Sequence, residues 1–290
     1  MGEQSSGLPS GRIDLRGARI ALLEGRMSGE LADLVRRHGG EPVSAPALRE
    51  DPIPSGEEVA HLIDELREGR LQFVILLTGV GVTGLVREAE ALGRLPELIA
   101  GLERATTICR GPKPAGALAK LPVTVDVRVP SPHTTADVVA TLSTLPIDGR
   151  GVALVHYGER SAPLTEVLRE RAGHIEELCL YEWHLPQDIE PLRSLIRELI
   201  AGRIDAVAFT SQIQVRHLLQ VADEIGRRDM LLHALERGPL IAAIGPTCAE
   251  ALEAAGITPH VVPDPPKMGP LLSALSAQLA TRQRPSEFTE

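Results

Sequence analysis

Six short apolar runs, each followed by a small or polar loop and then a helical pattern, constrain this 290-residue chain more than any other feature. Residues 19–23 (RIALL) precede 29–38, where Leu31, Leu34 and Val35 form an apolar stripe and Gly39-Gly40 supplies a glycine stop. Residues 71–77 (LQFVILL) precede a helical pattern at 79–91, and 106–109 (TTIC) precede one at 114–121. Residues 152–155 (VALV) lead into 162–172, closed by Gly173. Residues 206–209 (AVAF) lead into 212–225, and 240–244 (LIAAI) into 248–255 with Gly256 after it. A strand that is apolar at every position must be covered on both faces. The alternation therefore predicts an α/β fold with parallel sheets between helical layers.

So many units exceed what one sheet of a chain this long accommodates, and two domains are the natural division. Two stretches read as linkers, 46–53 and 177–186, the first rich in proline and acid, the second extended and ending in proline. The chain would then leave one lobe, complete the other and return. The expected first lobe is discontinuous, 15–45 with 187–280, and the second is 54–176. The polar ends, 1–14 and 281–290, read as disordered tails.

Composition excludes several classes. A net charge of -9 lacks the basic footprint of a nucleic-acid binder. No apolar run approaches the roughly 20 residues of a membrane span. The start, MGEQSSGLPSG, has no apolar signal core, and Cys109, Cys179 and Cys248 have neither disulfide-framework nor zinc-site spacing. Reduced thiols in a cytoplasmic protein are the expectation.

In open α/β sheets ligands bind beyond the carboxyl ends of the strands. Five strand-end loops carry residues suited to that: Thr78-Gly79, Arg110-Gly111-Pro112-Lys113, His156-Tyr157-Gly158-Glu159-Arg160-Ser161, Thr210-Ser211-Gln212 and Gly245-Pro246-Thr247-Cys248. Glycine permits close backbone approach, and serine or threonine caps a helix or donates to a ligand. Any one such loop is ordinary turn chemistry. Repetition across two lobes, however, would present many N–H donors and helix-dipole ends to an acidic small molecule. No Walker A sequence, no GxSxG and no HExxH is present, and the nine histidines are scattered.

Residues 206–219 (AVAFTSQIQVRHLL) resemble the "apolar strand, TS, helix" signature of the uroporphyrinogen-III synthase family. Residues 241–264 (IAAIGPTCAEALEAAGITPHVVPD) are similar to its second signature, AIGPTTA followed by a helix, a glycine, an apolar strand and an acidic proline stretch. Residues 108–116 look like its VGPKTA loop. The stretches 15–46, 132–142 (PHTTADVVATL) and 149–181 match other family segments in order, so the likeness covers almost the whole chain.

That resemblance implies two flavodoxin-like lobes with parallel sheets joined by a two-stranded linker, without metal or cofactor. It implies a lyase that closes hydroxymethylbilane, an acidic linear tetrapyrrole, to uroporphyrinogen III in an interlobe cleft, inverting ring D and losing water. The family expectation is a monomer, with at most a transient contact to the preceding enzyme of the pathway. Tyr181 matches the linker tyrosine favoured as proton donor to the leaving hydroxyl; from its own surroundings it reads as a half-buried strand tyrosine. The implied substrate-binding set is Thr78, Gly79, Gly111, Lys113, Tyr157, Gly158, Ser161, Thr210, Ser211, Gly245, Thr247 and Cys248. Four departures stand out: Cys248 replaces the second threonine of GPTT, Pro114 the threonine after GPK, Gln212 the proline after TS, and LTGVG the commoner FTS.

Two other readings stay open. One is a sensor of the same fold that binds a tetrapyrrole without converting it; relatives with the LTGVG flavour carry DNA-binding extensions, and none follows the last predicted helix here. The other is a two-lobe receptor for a small acidic metabolite, which the missing signal peptide disfavours.

Overall fold

The computed structural model describes residues 13–25 and 28–282. In chain order the elements are β1 (Arg19–Leu22), α1 (Ser28–Arg37), β2 (Glu41–Ser44), β3 (Arg49–Pro52), α2 (Gly56–Arg67), β4 (Phe73–Leu76), α3 (Gly79–Ala91) and α4 (Leu95–Arg104). They continue with β5 (Thr106–Cys109), α5 (Pro112–Leu118), β6 (Val127–Arg128), α6 (Thr135–Ser143), β7 (Gly151–Val155), α7 (Ala162–Arg171), β8 (His174–Leu178) and β9 (Tyr181–His184). The last are α8 (Glu190–Ile200), β10 (Ala206–Phe209), α9 (Gln212–Glu224), α10 (Arg228–Arg237), β11 (Leu240–Ala243), α11 (Pro246–Ala254) and α12 (Met268–Arg282).

The chain forms two compact units. One comprises the described residues of Met1–Arg49 with Leu185–Glu290, the other Glu50–His184. The first holds a parallel sheet in the order β11-β10-β1-β2, with Ile20 opposite both Ala206 and Pro42. Counted along the chain this is the flavodoxin order, in which the second strand lies outside the first and later strands add on the other side. Ala21, Leu23, Val207, Phe209, Ile241 and Ala243 point to one face, against α8, α9, α10 and α11. Ile20, Leu22, Ala206, Ala208, Leu240 and Ala242 point to the other, against α1 and α12. Both faces are dry, which is why these strands read as unbroken apolar runs.

The second unit repeats the plan with five parallel strands, β6-β5-β4-β7-β8. Val74, Leu76, Ala153 and Val155 pack on α2, α3, α4 and α5, while Phe73, Ile75, Val152 and Leu154 pack on α6 and α7. The two stretches by which the chain passes between units pair as a separate ribbon, β3 with β9.

Two helices begin earlier than their apolar pattern suggests. α5 starts at Pro112 rather than 114, and α11 at Pro246 rather than 248. Proline's missing N–H costs nothing in the first turn and its φ is already helical, so a proline after a strand-end glycine opens these helices. The expected tails fall mostly outside the described residues. Within them, Asp14 N–H donates to Ser276 Oγ at 3.0 Å, and α12 continues to Arg282, whose guanidinium donates to Gly238 O at 2.7 Å.

Candidate functional site

Each unit has one place where the chain's strand order reverses. In the first, β1 and β10 are neighbours, but the chain leaves β1 toward β2 and leaves β10 toward β11. In the second, β4 and β7 stand in the same relation, with β5 on one side and β8 on the other. The loops after such neighbours diverge over opposite faces and leave a crevice at the carboxyl ends of the strands. Thr78-Gly79 and His156–Ser161 leave the reversal point of the second unit, and Thr210-Ser211 that of the first.

In the second unit Thr78 is the N-cap of α3, its Oγ1 accepting from Gly81 N–H at 3.0 Å. The same oxygen accepts from the hydroxyl of Tyr181 on β9 at 3.2 Å. Tyr181 is 4% exposed, and burial pushes its phenol up to about 12, opposed by hydrogen bonds with the Thr78 side chain and the Gly158 backbone. Thr78 itself is only half-buried. With two donors pointed at its oxygen, the threonine proton is directed away from the tyrosine.

The chain has two tyrosines and one tryptophan, and all three meet here. Trp183, two residues along β9 from Tyr181, stacks on Tyr157 with centroids 5.7 Å apart and meets Tyr181 edge-on at 6.1 Å. The Arg110 guanidinium lies 5.5 Å from the Tyr157 ring centre and donates to His133 O at 2.7 Å. Gly158 lies against the indole so closely that a Cβ there would clash with Cδ2, Cε2 and Cγ of Trp183. Gly79 opens α3 beside the carbonyl of Lys113, where a Cβ would sit 3.0 Å from that oxygen; the Lys113 side chain is exposed. Gly111 is the N-cap of α5 in extended conformation.

His156 is wholly buried. Its Nδ1 accepts from Ser161 N–H at 3.1 Å, so its proton is carried on Nε2, which lies 3.6 Å from Glu177 Oε2. Burial lowers the imidazole below its ordinary value, with Glu177 opposing. Ser161 precedes α7 in the capping position, yet its buried Oγ makes no hydrogen bond among the described residues. Trp183, Gly158, Arg160, Glu177 and Cys179 also line a cavity of ≈ 500 Å³.

In the first unit Thr210 donates its hydroxyl proton to Glu24 Oε2 at 2.6 Å. The fully buried Gln214 donates from Nε2 to Thr210 Oγ1 at 2.8 Å and accepts from Thr210 N–H at 2.7 Å. Ser211 Oγ is shielded from solvent with no hydrogen-bond partner among the described residues. Gly245 is the extended N-cap of α11, and Thr247 is half-buried in its first turn. Cys248 departs from the expected binding role. Its thiol is 3% exposed within the apolar core under β10 and β11, and burial pushes it up to about 12. Its N–H is turned back to Gly245 O at 3.1 Å.

The sequence reading did not single out Trp183, Glu24 or Gln214. A signal existed for the first two, since Trp183 shares a strand face with Tyr181 and Glu24 lies two residues past the end of β1. Among the described residues no group of three His, Cys, Asp or Glu side chains is arranged to hold a metal ion, and no helix is long and apolar enough to cross a membrane.

Comparison with known proteins gives one consistent result. The family model "Uroporphyrinogen-III synthase HemD" matches residues 29–273. The uncharacterized protein YjjA of Bacillus subtilis is 30% identical over 262 residues, covering 90% of this chain and 96% of that protein. A crystal structure of a mutant uroporphyrinogen III synthase from Thermus thermophilus superposes with a TM-score of 0.73 at 27% identity, covering 92% of this chain and 100% of that one. The wild-type enzyme of the same organism, in another crystal form, gives 0.57 at 28% identity, with 92% and 100% covered.

Proposed function

Since the chain belongs to the uroporphyrinogen-III synthase family, we propose that it closes hydroxymethylbilane to uroporphyrinogen III, inverting ring D and releasing water. The observation that carries this reading is the Tyr181–Thr78 pair at the strand-order reversal of the second unit. A phenol that is 4% exposed is poorly placed to touch a substrate, but the half-buried threonine is well placed. Thr78 would donate its outward proton to the hydroxymethyl oxygen while Tyr181 replaces it. The C–O bond breaks, water leaves and an azafulvene-like cation remains.

Ring D then attacks through its substituted carbon to form the spiro intermediate, which opens and recloses with that ring inverted. The proton released when the last pyrrole regains aromaticity returns to the phenolate. Atoms and charge balance without a nucleophile from the protein, so orientation supplies most of the acceleration. The acetate and propionate groups would be held by backbone N–H groups at Gly79 and Gly111, by those at Ser211, Gly245 and Thr247, and by Lys113; the Ser161 N–H is already given to His156 Nδ1 and the Gly158 backbone to Tyr181. Cytoplasmic location and a monomeric state go with this reading.

The deciding experiment mixes purified protein with hydroxymethylbilane, oxidises the products and separates the isomers. Uroporphyrin III as main product supports the reading. Only the type I isomer, which forms without enzyme, overturns it; tight binding of the bilane in that case would identify a tetrapyrrole-binding protein without turnover.

A further inference from the structure

The two strand-end threonines look alike in sequence, but their protons point to different partners. At Thr210 the backbone N–H can only donate, so the Gln214 atom it meets at 2.7 Å must be the carbonyl oxygen. That fixes the Gln214 amide nitrogen toward Thr210 Oγ1, at 2.8 Å. The hydroxyl oxygen is thereby occupied as an acceptor, and its single proton goes to Glu24 Oε2 at 2.6 Å. Gln214 is completely buried on α9, where a polar side chain is costly unless every group is satisfied. The result is a carboxylate held in place at the reversal point of the first unit by a relay with only one consistent direction.

An acceptor at that position cannot serve substrate carboxylates, which it repels. The groups of a linear tetrapyrrole that suit it are the pyrrole N–H donors. Resting on the catalytic reading above, we propose that Glu24 is a specificity-determining residue that accepts the N–H of a substrate pyrrole. Gln214 and Thr210 position it. Thr210 itself then contributes no hydroxyl donor to the substrate.

The test compares the full-length wild type with Glu24→Gln, Glu24→Asp and Thr210→Ser. Glu24→Gln keeps an oxygen to accept from Thr210 but removes the negative charge. In Glu24→Gln, kcat/KM is expected to fall on the order of tenfold or more, the scale of a charge-assisted hydrogen bond. Glu24→Asp and Thr210→Ser should each lose less, with melting temperatures within a few degrees of the wild type in all three. Wild-type kcat/KM and type III yield in Glu24→Gln overturn the inference and leave the synthase reading intact. If the wild type makes no type III isomer, the synthase reading fails. Dissociation constants for hydroxymethylbilane then decide about Glu24: weaker binding by Glu24→Gln supports the contact, and equal binding overturns it.

Discussion

Tyr181→Phe separates a proton source from a packing residue, because the structure sets different magnitudes for the two roles. The substitution removes one hydroxyl and leaves a ring of nearly the same shape, so apolar burial and the edge contact with Trp183 at 6.1 Å persist. Thr78 Oγ1 keeps the Gly81 N–H at 3.0 Å, and the cap of α3 is not orphaned. What is lost is the 3.2 Å bond to Thr78 and the hydrogen bond with the Gly158 backbone, each worth about 0.5–1.5 kcal/mol net. In a protein of this size that lowers the melting temperature by about 2–4 °C per kcal/mol. A positioned general acid, by contrast, contributes about 10²–10⁴-fold in rate.

The assay is the initial rate of type III formation from hydroxymethylbilane, with kcat and KM taken separately and the melting temperature read on the same preparations. The relay predicts a fall in kcat of about 100-fold or more with a KM within a few-fold. Thr78→Val should show the same fall in kcat, and Thr78→Ser should restore most of it. A Tyr181→Phe enzyme with kcat within about threefold of wild type, far below the contribution of a general acid, would refute the relay and reduce Tyr181 to a packing role.

Tyr181 should also cost stability in alkali: its folded value of about 12 lies above the ordinary 10.0, so the folded state holds the proton more tightly. Its favourable contribution is complete below pH 10 and is lost as pH rises toward 12, a change of about 3 kcal/mol that urea unfolding should show in the wild type and not in Tyr181→Phe. Gly158→Ala drives a methyl into the indole and should destabilise by about 1–3 kcal/mol with a shifted Trp183 emission; because Trp183 is the sole tryptophan, an unchanged spectrum would refute the packing. Cys248, pushed up to about 12 by burial, should resist alkylation in the native state near pH 8, whereas half-buried Cys179 reacts first; equal rates by mass spectrometry would contradict that order.

The parallel strands were legible because burial on both faces writes an unbroken apolar run, as in Phe73–Leu76 and Ala206–Phe209. The starts of α5 and α11 were less so, since apolar periodicity begins after the prolines that open those helices. The loops were visible as glycine and hydroxyl residues at strand ends, but periodicity does not show whether a side chain turns outward or inward. Cys248 turned into the core because its place in the first turn of α11 faces the sheet.

Hydrogen-bond direction was the least legible property, and it decides what the two threonines can do. Thr78 receives from Gly81 N–H and from the Tyr181 hydroxyl, a partner 103 residues away, so its own proton is directed elsewhere. Thr210 receives from Gln214, and its proton is committed to Glu24, a partner 186 residues away. Neither long-range partner is implied by the local pattern of strand, threonine and helix that the two loops share. The threonine of the second unit is therefore a donor, while that of the first places an acceptor beyond it. Exchanging the roles, with Glu24→Gln on one side and Thr78→Val on the other, should damage different steps: pyrrole recognition in the first and departure of water in the second.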